Sequence, residues 1–334
     1  MKISEIQHSH GIIEIEIACS KQKVSLLNIG ASFVRWLTTS GKDILARYDD
    51  IQEYNVNAMY LGVTVGPNAG RIENGQFKLG AKEYQMKEEK SHFLHSGEFG
   101  FSRSLFDYAI EKNDDEESIV VFTLDYSHPL LPGKQHIKVS YIVKQDDVVI
   151  LFDVESDQET LCNLTNHVYI NLDGTFDREI ETHSIQVPAN KVLLMDQNLI
   201  GTKFVSVENT PFDFQQERAI LPSVLEVKAT DKAAFGLDHY YLFTDKAKTE
   251  IVLKSSHHPY ALTISSSYPG ATVYSTNFPS TKAVQTGAPL PLHSAVCVEP
   301  EFIGNAINRS DVEIGLVSKE KPYHHQIHYH WGVL

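Results

Sequence analysis

The sequence predicts an all-β protein in which the 334 residues form one large antiparallel domain, either a sandwich or a barrel. Apolar and polar residues alternate with a period of two in many segments, as they do in half-buried strands. Helical periodicity is scarce, and residues 223–234 form the one moderate helix candidate. Because no Ser/Gly/Pro-rich linker and no shift in composition divides the chain, we expect a single domain over residues 1–334.

Strands are predicted wherever the alternation is clearest. In residues 12–17, Ile13, Ile15 and Ile17 alternate with two glutamates. Residues 137–143 and 148–154 flank a short polar turn and therefore predict a hairpin. Aromatic and β-branched residues, which suit a pleated surface, predict further strands at residues 24–29, 118–124, 240–244, 249–254, 261–266 and 272–275.

Charge and composition exclude several classes of partner. The formal net charge is −14 and no Lys/Arg-dense stripe offsets it, so we expect no nucleic acid and no anionic membrane as a partner. No run of about 18 apolar residues occurs, and the N-terminus lacks the apolar core of a signal peptide. Three widely spaced cysteines fit a reducing compartment, so we predict a cytoplasmic protein. The sequence does not distinguish a monomer from a homodimer.

Common cofactor and nucleophile motifs are absent from the sequence. It contains no Gly-x-x-x-x-Gly-Lys phosphate loop, no Gly-x-Gly-x-x-Gly turn, no His-Glu-x-x-His pair and no Gly-x-Ser-x-Gly elbow. Four histidines crowd the C-terminus, and His328 and His330 would share one face of a strand. Because no third ligand lies close in sequence, we expect an exposed strand face there and no metal site.

Polar residues that interrupt apolar segments are the candidate site residues. Asn166 and His167 interrupt one apolar run, and Glu299 ends another. Asp238 precedes an aromatic strand, and Arg71 follows a Gly/Pro-rich turn. Each residue alone is typical of a structural role. Together they form a set of acids and bases from distant segments, as a ligand cleft across a β-sandwich would need.

Several short motifs follow one another along most of the chain in the order seen in a known family. Leu-His-Ser-Gly at residues 94–97, Thr-Asn-His-Val-Tyr-Ile-Asn-Leu at 165–172, Gly-Leu-Asp-His at 236–239 and Cys-Val-Glu-Pro-Glu at 297–301 are four of them. Others lie at residues 28–31, 61–72, 210–214, 273–278 and 306–308. This order resembles the aldose 1-epimerase (galactose mutarotase) family, and the motif around His167 is the most specific part of the match.

The resemblance implies a large β-sandwich that interconverts the α and β anomers of a free aldohexose such as galactose or glucose, without cofactor or metal. It places Glu299 as the catalytic base and His167 as the acid. His95 is placed as a third catalytic group, near the ring oxygen or an adjacent hydroxyl group. Arg71 and Asp238 are placed on sugar hydroxyl groups. Asn166 is grouped with the substrate-binding residues, where it would orient His167, unless it caps a strand end.

Departures from the family pattern bear on the choice of sugar. Pro300-Glu301 stands where the family has Thr-Gln, and Gly304-Asn305 where it has Pro-Asp. Gly70 replaces an asparagine and Ser96 a glycine.

Three alternatives stay open at this point. A hexose-6-phosphate mutarotase would need cations, and Arg71 has only Lys78, Lys82 and Lys87 near it in sequence. A non-catalytic carbohydrate-binding protein would need neither His167 nor Glu299. A glycosidase pairing Glu299 with residue 301 would need both on one strand face, whereas Pro300 predicts a turn there.

Overall fold

Most strands of the protein belong to three antiparallel sheets in the computed structural model, which describes residues 1–86, 93–230 and 235–333. The first sheet contains the N-terminal strands in chain order, so that each strand pairs with its predecessor. Its strands are β1 (Lys2–Gln7), β2 (Ile13–Ala18), β3 (Lys23–Leu27) and β4 (Ser32–Leu37).

The largest sheet has nine strands and is open, with edge strands near residues 110 and 218. Buried and half-exposed residues alternate along its central strands, which explains the period of two in the sequence. In spatial order the strands are β10 (Asp107–Asn113), β11 (Ser118–Tyr126), β12 (Gln135–Val143), β13 (Asp147–Ser156), β26 (Tyr323–Val333), β22 (Tyr260–Ser266), β21 (Ile251–Ser255), β16 (His183–Gln186) and β19 (Arg218–Ala219).

The third sheet has five strands and carries the candidate site. In spatial order they are β18 (Gly201–Ser206), β17 (Ala189–Met195), β20 (Asp238–Phe243), β23 (Gly270–Tyr274) and β24 (Cys297–Glu301). Residues from all three sheets, including Ile15, Val139 and Val273, meet in one buried hydrophobic cluster. Packing of open antiparallel sheets over a shared core makes the fold a β-sandwich rather than a closed barrel.

Short elements complete the fold and hold the loops around the site. Four two-stranded pairs are β5 (Thr64–Val65) with β15 (Thr165–Asn166), β6 (Arg71–Ile72) with β9 (Phe93–Leu94), β7 (Gln76–Leu79) with β8 (Lys82–Gln85), and β14 (Thr160–Leu161) with β25 (Leu316–Val317). The α-helix in the described part of the chain is α1 (Ile220–Thr230), and the 3-10 helices are Ser9–Gly11, Ile51–Asn55, Glu73–Gly75, Gly97–Phe99, Phe101–Arg103 and Ala306–Asn308.

The all-β antiparallel prediction is confirmed, and every strand predicted above lies on an observed strand. The predicted helix at residues 223–234 starts three residues earlier, at Ile220, and residues 231–234 lie outside the described residues. No helix within the described ranges is long and apolar enough to cross a membrane. The single-domain boundary over residues 1–334 stays a prediction.

One local expectation, the turn at Pro300, is wrong. The chain does not turn at Pro300, because β24 continues through it to Glu301 and pairs with β23 along its whole length. On β26, His328 and His330 share a face and contact the same oxygen of Asp147, each at 2.8 Å. His325 lies on the opposite, inner face, where its ring stacks on Tyr268 at 4.4 Å between centroids.

Candidate active site

One face of the five-stranded sheet forms the floor of a cleft that buried acids and bases line. Side chains two residues apart on a strand point to the same face, so each of three neighbouring strands contributes a pair of side chains to the cleft. The pairs are Asp238 and Tyr240 on β20, Thr272 and Tyr274 on β23, and Glu299 and Glu301 on β24.

Four segments outside this sheet form another wall of the cleft. They bring Tyr60, Arg71, His95, His167 and Tyr169 against the sheet. The empty volume is about 1130 Å³, including the open mouth. Leu193, Met195, Leu199, Ile200 and Phe278 add an apolar side to the cleft. A cleft with apolar walls and a few convergent polar groups is typical of a site for a small molecule.

Pairing of β6 with β9 places Arg71 and His95 side by side. Arg71 pairs directly with Leu94, and the backbone N–H of His95 donates to the oxygen of Gly70 at 2.9 Å. The N–H of Gly70 in turn donates to Nδ1 of the His95 ring at 3.2 Å. Because Nδ1 accepts, the neutral ring carries its proton on Nε2 and can donate a hydrogen bond there.

His167 and Glu299 meet at the bottom of the cleft. His167 directly follows β15, where its backbone N–H donates to Val63 at 2.9 Å, and its ring stacks on Tyr169 with centroids 5.0 Å apart. Nε2 of His167 lies 3.6 Å from Oε2 of Glu299, and both side chains are more than nine-tenths buried. The distance is slightly too long for a hydrogen bond, but it brings an acid–base pair to one point.

Burial changes the proton affinities of this pair from the ordinary values that the sequence suggests. It lowers the pKa of His167 to about 4. Burial, followed by the charges of Glu301 and Asp238, raises the pKa of Glu299 well above its usual range. The protein therefore favours a neutral imidazole and a protonated carboxyl group in this pair.

The remaining polar groups lie beside this pair. Nη1 of Arg71 is 3.4 Å from Oδ2 of Asp238, and both side chains are partly buried. Burial and the charges of His167 and Arg71 hold the pKa of His95 well below its usual range, so its ring is neutral. The structure thus brings together five of the six site residues predicted from the sequence: Arg71, His95, His167, Asp238 and Glu299.

Asn166 is the predicted site residue that the structure does not bring to the cleft. Its side chain is fully buried, and Nδ2 donates to the backbone oxygen of Gly62 at 3.0 Å. The next residue, His167, accepts from the backbone N–H of Gly62 at 2.8 Å through its own carbonyl. Asn166 therefore lies behind His167, where its side chain holds the backbone, and it does not line the cleft.

Gly70 and Gly304, two of the departures from the family pattern, lie against each other in the structure. Gly70 has a positive φ of 73°, and a Cβ there would lie 2.8 Å from Cα of Gly304. A Cβ on Gly304 would lie 2.5 Å from the backbone nitrogen of Arg71. The two glycines let the segment that follows β24 approach the segment that carries the arginine. Asn305 accepts from the backbone N–H of Glu73 at 3.1 Å and reinforces this approach.

The sequence did not single out several cleft residues. Tyr60 packs edge-on against His95 at 4.8 Å, and Tyr274 packs edge-on against His167 at 6.3 Å. Strand alternation from Asp238 would have indicated Tyr240. No sequence signal marked Tyr60, which has a positive φ of 56° in a turn before β5.

His95, His167 and Glu299 are also close enough to hold a metal ion. One ligand atom from each lies within 4.8 Å of the others. Imidazole nitrogens and a carboxylate oxygen would suit zinc or a similar divalent ion. The same atoms suit proton transfer, and the prediction of a metal-free site stays a prediction.

Comparisons with known proteins agree with this geometry. A sequence model described as aldose 1-epimerase matches residues 13–330. The chain belongs to the aldose 1-epimerase family. It is 27% identical to galactose mutarotase of Mus musculus over 296 residues, which cover 87% of this chain and 84% of the relative. It is 24% identical to maltose epimerase of Levilactobacillus brevis over 316 residues, 92% of this chain and 91% of that protein.

Solved structures of family members share the fold. An aldose epimerase homologue from C. elegans has a TM-score of 0.84 at 25% identity and covers all of both chains. Galactose 1-epimerase from Lactobacillus acidophilus has a TM-score of 0.87 at 21% identity, over 99% of this chain and 98% of that one. As a member of the aldose 1-epimerase family, this chain is an isomerase that acts as an aldose mutarotase.

Proposed function

We propose that this aldose 1-epimerase interconverts the α and β anomers of free aldohexoses such as galactose or glucose, with Glu299 as the base and His167 as the acid. The observation that carries the proposal is the buried contact between Nε2 of His167 and Oε2 of Glu299 at the bottom of the cleft. Opening a sugar ring requires one group that accepts a proton and one that donates a proton, held close together.

The reaction moves two protons and breaks one bond. Ionised Glu299 takes the proton of the hydroxyl group on C1, while the C1–O5 bond breaks and protonated His167 gives its proton to O5. Rotation about C1–C2 turns the free aldehyde, and the ring closes on its other face as both protons return. Each positioned group contributes roughly 10²- to 10⁴-fold to the rate.

The pair needs one proton in total, which fits its electrostatics. Burial favours protonated Glu299 and neutral His167, whereas ring opening starts with the same single proton on His167. Transfer of that proton across the 3.6 Å contact converts one form into the other. His95, as a neutral donor through Nε2, would support the ring oxygen or an adjacent hydroxyl group.

An uncharged sugar fits the cleft better than a sugar phosphate. Arg71 is the one Lys or Arg side chain that lines the described part of the cleft, and Asp238, Glu299 and Glu301 oppose it. Lys78 is paired with Glu83 on an exposed hairpin, and Lys82 lies over a tyrosine ring of the same hairpin. Lys87, also considered from the sequence, lies outside the described residues. The one cation that a phosphate dianion would meet in the described part of the cleft is thus already paired with Asp238.

Polarimetry tests the proposal directly. Freshly dissolved α-D-galactose, α-D-glucose and maltose should approach their equilibrium rotations faster with catalytic amounts of protein, and the end point should stay the same. The ratio of the rates defines the preferred sugar. No acceleration with any free sugar would contradict the proposal, and acceleration with glucose 6-phosphate alone would assign the phosphosugar alternative.

Two variants test the assigned roles. Glu299→Gln and His167→Asn should each lower kcat by about 10²- to 10⁴-fold, because each removes one proton-transfer group. Glu320→Gln, at an exposed glutamate that does not line the cleft, is the matched control and should retain full activity. Near-normal turnover by either site variant would show that its role is wrong. Circular dichroism checks that each variant is folded.

A further inference from the structure

Glu301 is a second buried glutamate in the cleft that the proposed mechanism does not use. It lies two residues after Glu299 on β24, so both side chains point into the cleft. Its exposed fraction is 3%, equal to that of Glu299. A carboxyl group at this depth is costly unless it has a partner, so its position calls for an explanation.

The structure holds Glu301 firmly from two sides. The hydroxyl group of Thr272 donates to Oε1 at 2.6 Å, and the hydroxyl group of Tyr240 donates to the backbone oxygen of Glu301 at 3.2 Å. Gly270, the residue opposite on β23, leaves the space that the Tyr240 ring occupies, since a Cβ there would lie 2.5 Å from the tyrosine oxygen. Thr272 thus holds one oxygen of the carboxyl group, and Tyr240 holds the backbone that carries it.

The other oxygen, Oε2, has no hydrogen-bond partner among the described residues, although it is buried. Neither protonation state of the carboxyl group removes this deficit: an ionised oxygen lacks a donor, and a protonated one lacks an acceptor. A sugar hydroxyl group can supply either. It is the kind of group that the cleft admits beside Glu299 and the Arg71–Asp238 pair.

We propose that Glu301 is a substrate-binding residue, which holds one hydroxyl group of the bound aldose through Oε2 and so helps to select the sugar. The inference rests on the proposed mutarotase function and adds a contact to the same site. Thr272 serves as a positioning residue, because it fixes the carboxyl group through Oε1 and leaves Oε2 for the sugar.

Deoxy sugars test the contact. The experiment measures kcat/KM by polarimetry for the preferred aldohexose and for its 2-, 3-, 4- and 6-deoxy derivatives. With the wild-type protein, kcat/KM for one of these derivatives should fall by a factor of about 3 to 10 more than it does for the others, which is the contribution of one hydrogen bond. Glu301→Met removes both oxygens at similar volume, so it should lower kcat/KM for the parent sugar and abolish the additional loss for that derivative.

Two further variants complete the test. Glu301→Gln keeps hydrogen-bonding capacity and should keep the wild-type pattern of losses, as should the exposed control Glu320→Gln. Glu301→Ala provides a second oxygen-free variant if the methionine variant does not fold. Unchanged losses for all four derivatives in the oxygen-free variants would overturn the inference while leaving mutarotation intact. No acceleration of any sugar by the wild-type protein would overturn the proposed function and this inference with it.

Discussion

Replacing Glu301 by glutamine should make the folded protein less sensitive to alkaline pH. Burial, helped by the charge of Asp238 and opposed by Thr272 and Arg71, raises the pKa of Glu301 to about 8. In the unfolded chain the same group titrates near its ordinary value of 4.5. Between these two values the folded protein holds a proton that the unfolded chain has lost, so a rise in pH favours unfolding.

The size of the effect follows from that difference. One additional proton on the folded state lowers the free energy of unfolding by about 1.4 kcal/mol for each pH unit in this window. Because the loss levels off as the pH nears the folded pKa, it amounts to about 2 kcal/mol between pH 6 and pH 8. Glutamine cannot titrate, so Glu301→Gln should lack this loss.

Urea unfolding at pH 6, 7 and 8 measures the difference. Trp36 and Trp331 are both buried, so their fluorescence reports the transition. The expected result is a gap between variant and wild type that widens by about 2 kcal/mol from pH 6 to pH 8. Glu320→Gln, at an exposed site, should run parallel to the wild type. A Glu301→Gln curve that also runs parallel would refute the raised pKa and the reasoning from burial.

Three other predictions concern activity and packing. The pH profile of kcat/KM should be bell-shaped. On the acid side activity should fall near pH 4, because the pKa of His167 is about 4 and the pair then takes a second proton. On the alkaline side activity should fall above the usual glutamate range, where Glu299 loses its proton, and an alkaline limb at an ordinary glutamate pKa would contradict this. Gly304→Ala should raise KM at least several-fold, because the added Cβ would press on the backbone of Arg71. Gly287→Ala is the control for steric contact, since a Cβ there has nothing within 4 Å, and equal KM values for the two variants would refute the contact. Asn166→Ala should cost about 1–3 kcal/mol in urea unfolding and lower kcat, since it frees the backbone of His167; unchanged kcat would remove the positioning role.

The fold was predictable because its signal is local. Alternation in residues 12–17 or 137–154 depends only on which face of a strand is buried, and each such segment lies on a strand. Pairing between distant strands leaves no such trace: nothing in the sequence places β26 between β13 and β22. The continuation of β24 through Pro300 was missed for the same reason. Strand β24 lies at the edge of its sheet, where a proline without a backbone N–H is tolerated.

Most of the candidate site was predictable from motifs, whereas its energetics were not. Polar residues that interrupt or adjoin apolar runs mark Glu299, His167 and Asp238 as candidates in the sequence, and the family motifs supply their predicted roles. Their proton affinities depend on burial and on neighbours from other strands, which spacing does not encode. Asn166 shows the converse: it adjoins His167 in sequence but points away from the cleft, as neighbours in an extended segment do.

The close approach of Gly304 to Gly70 joins the first quarter of the chain to its last tenth. Ring opening needs parts that are far apart along the polypeptide, so turnover begins only after the slow closure of very long loops. A refolding intermediate can therefore regain its strand content while remaining silent in polarimetry. In a refolding time course, the recovery of mutarotation then reports the final docking of the C-terminal strands. The spectroscopic signal of the strands should recover earlier.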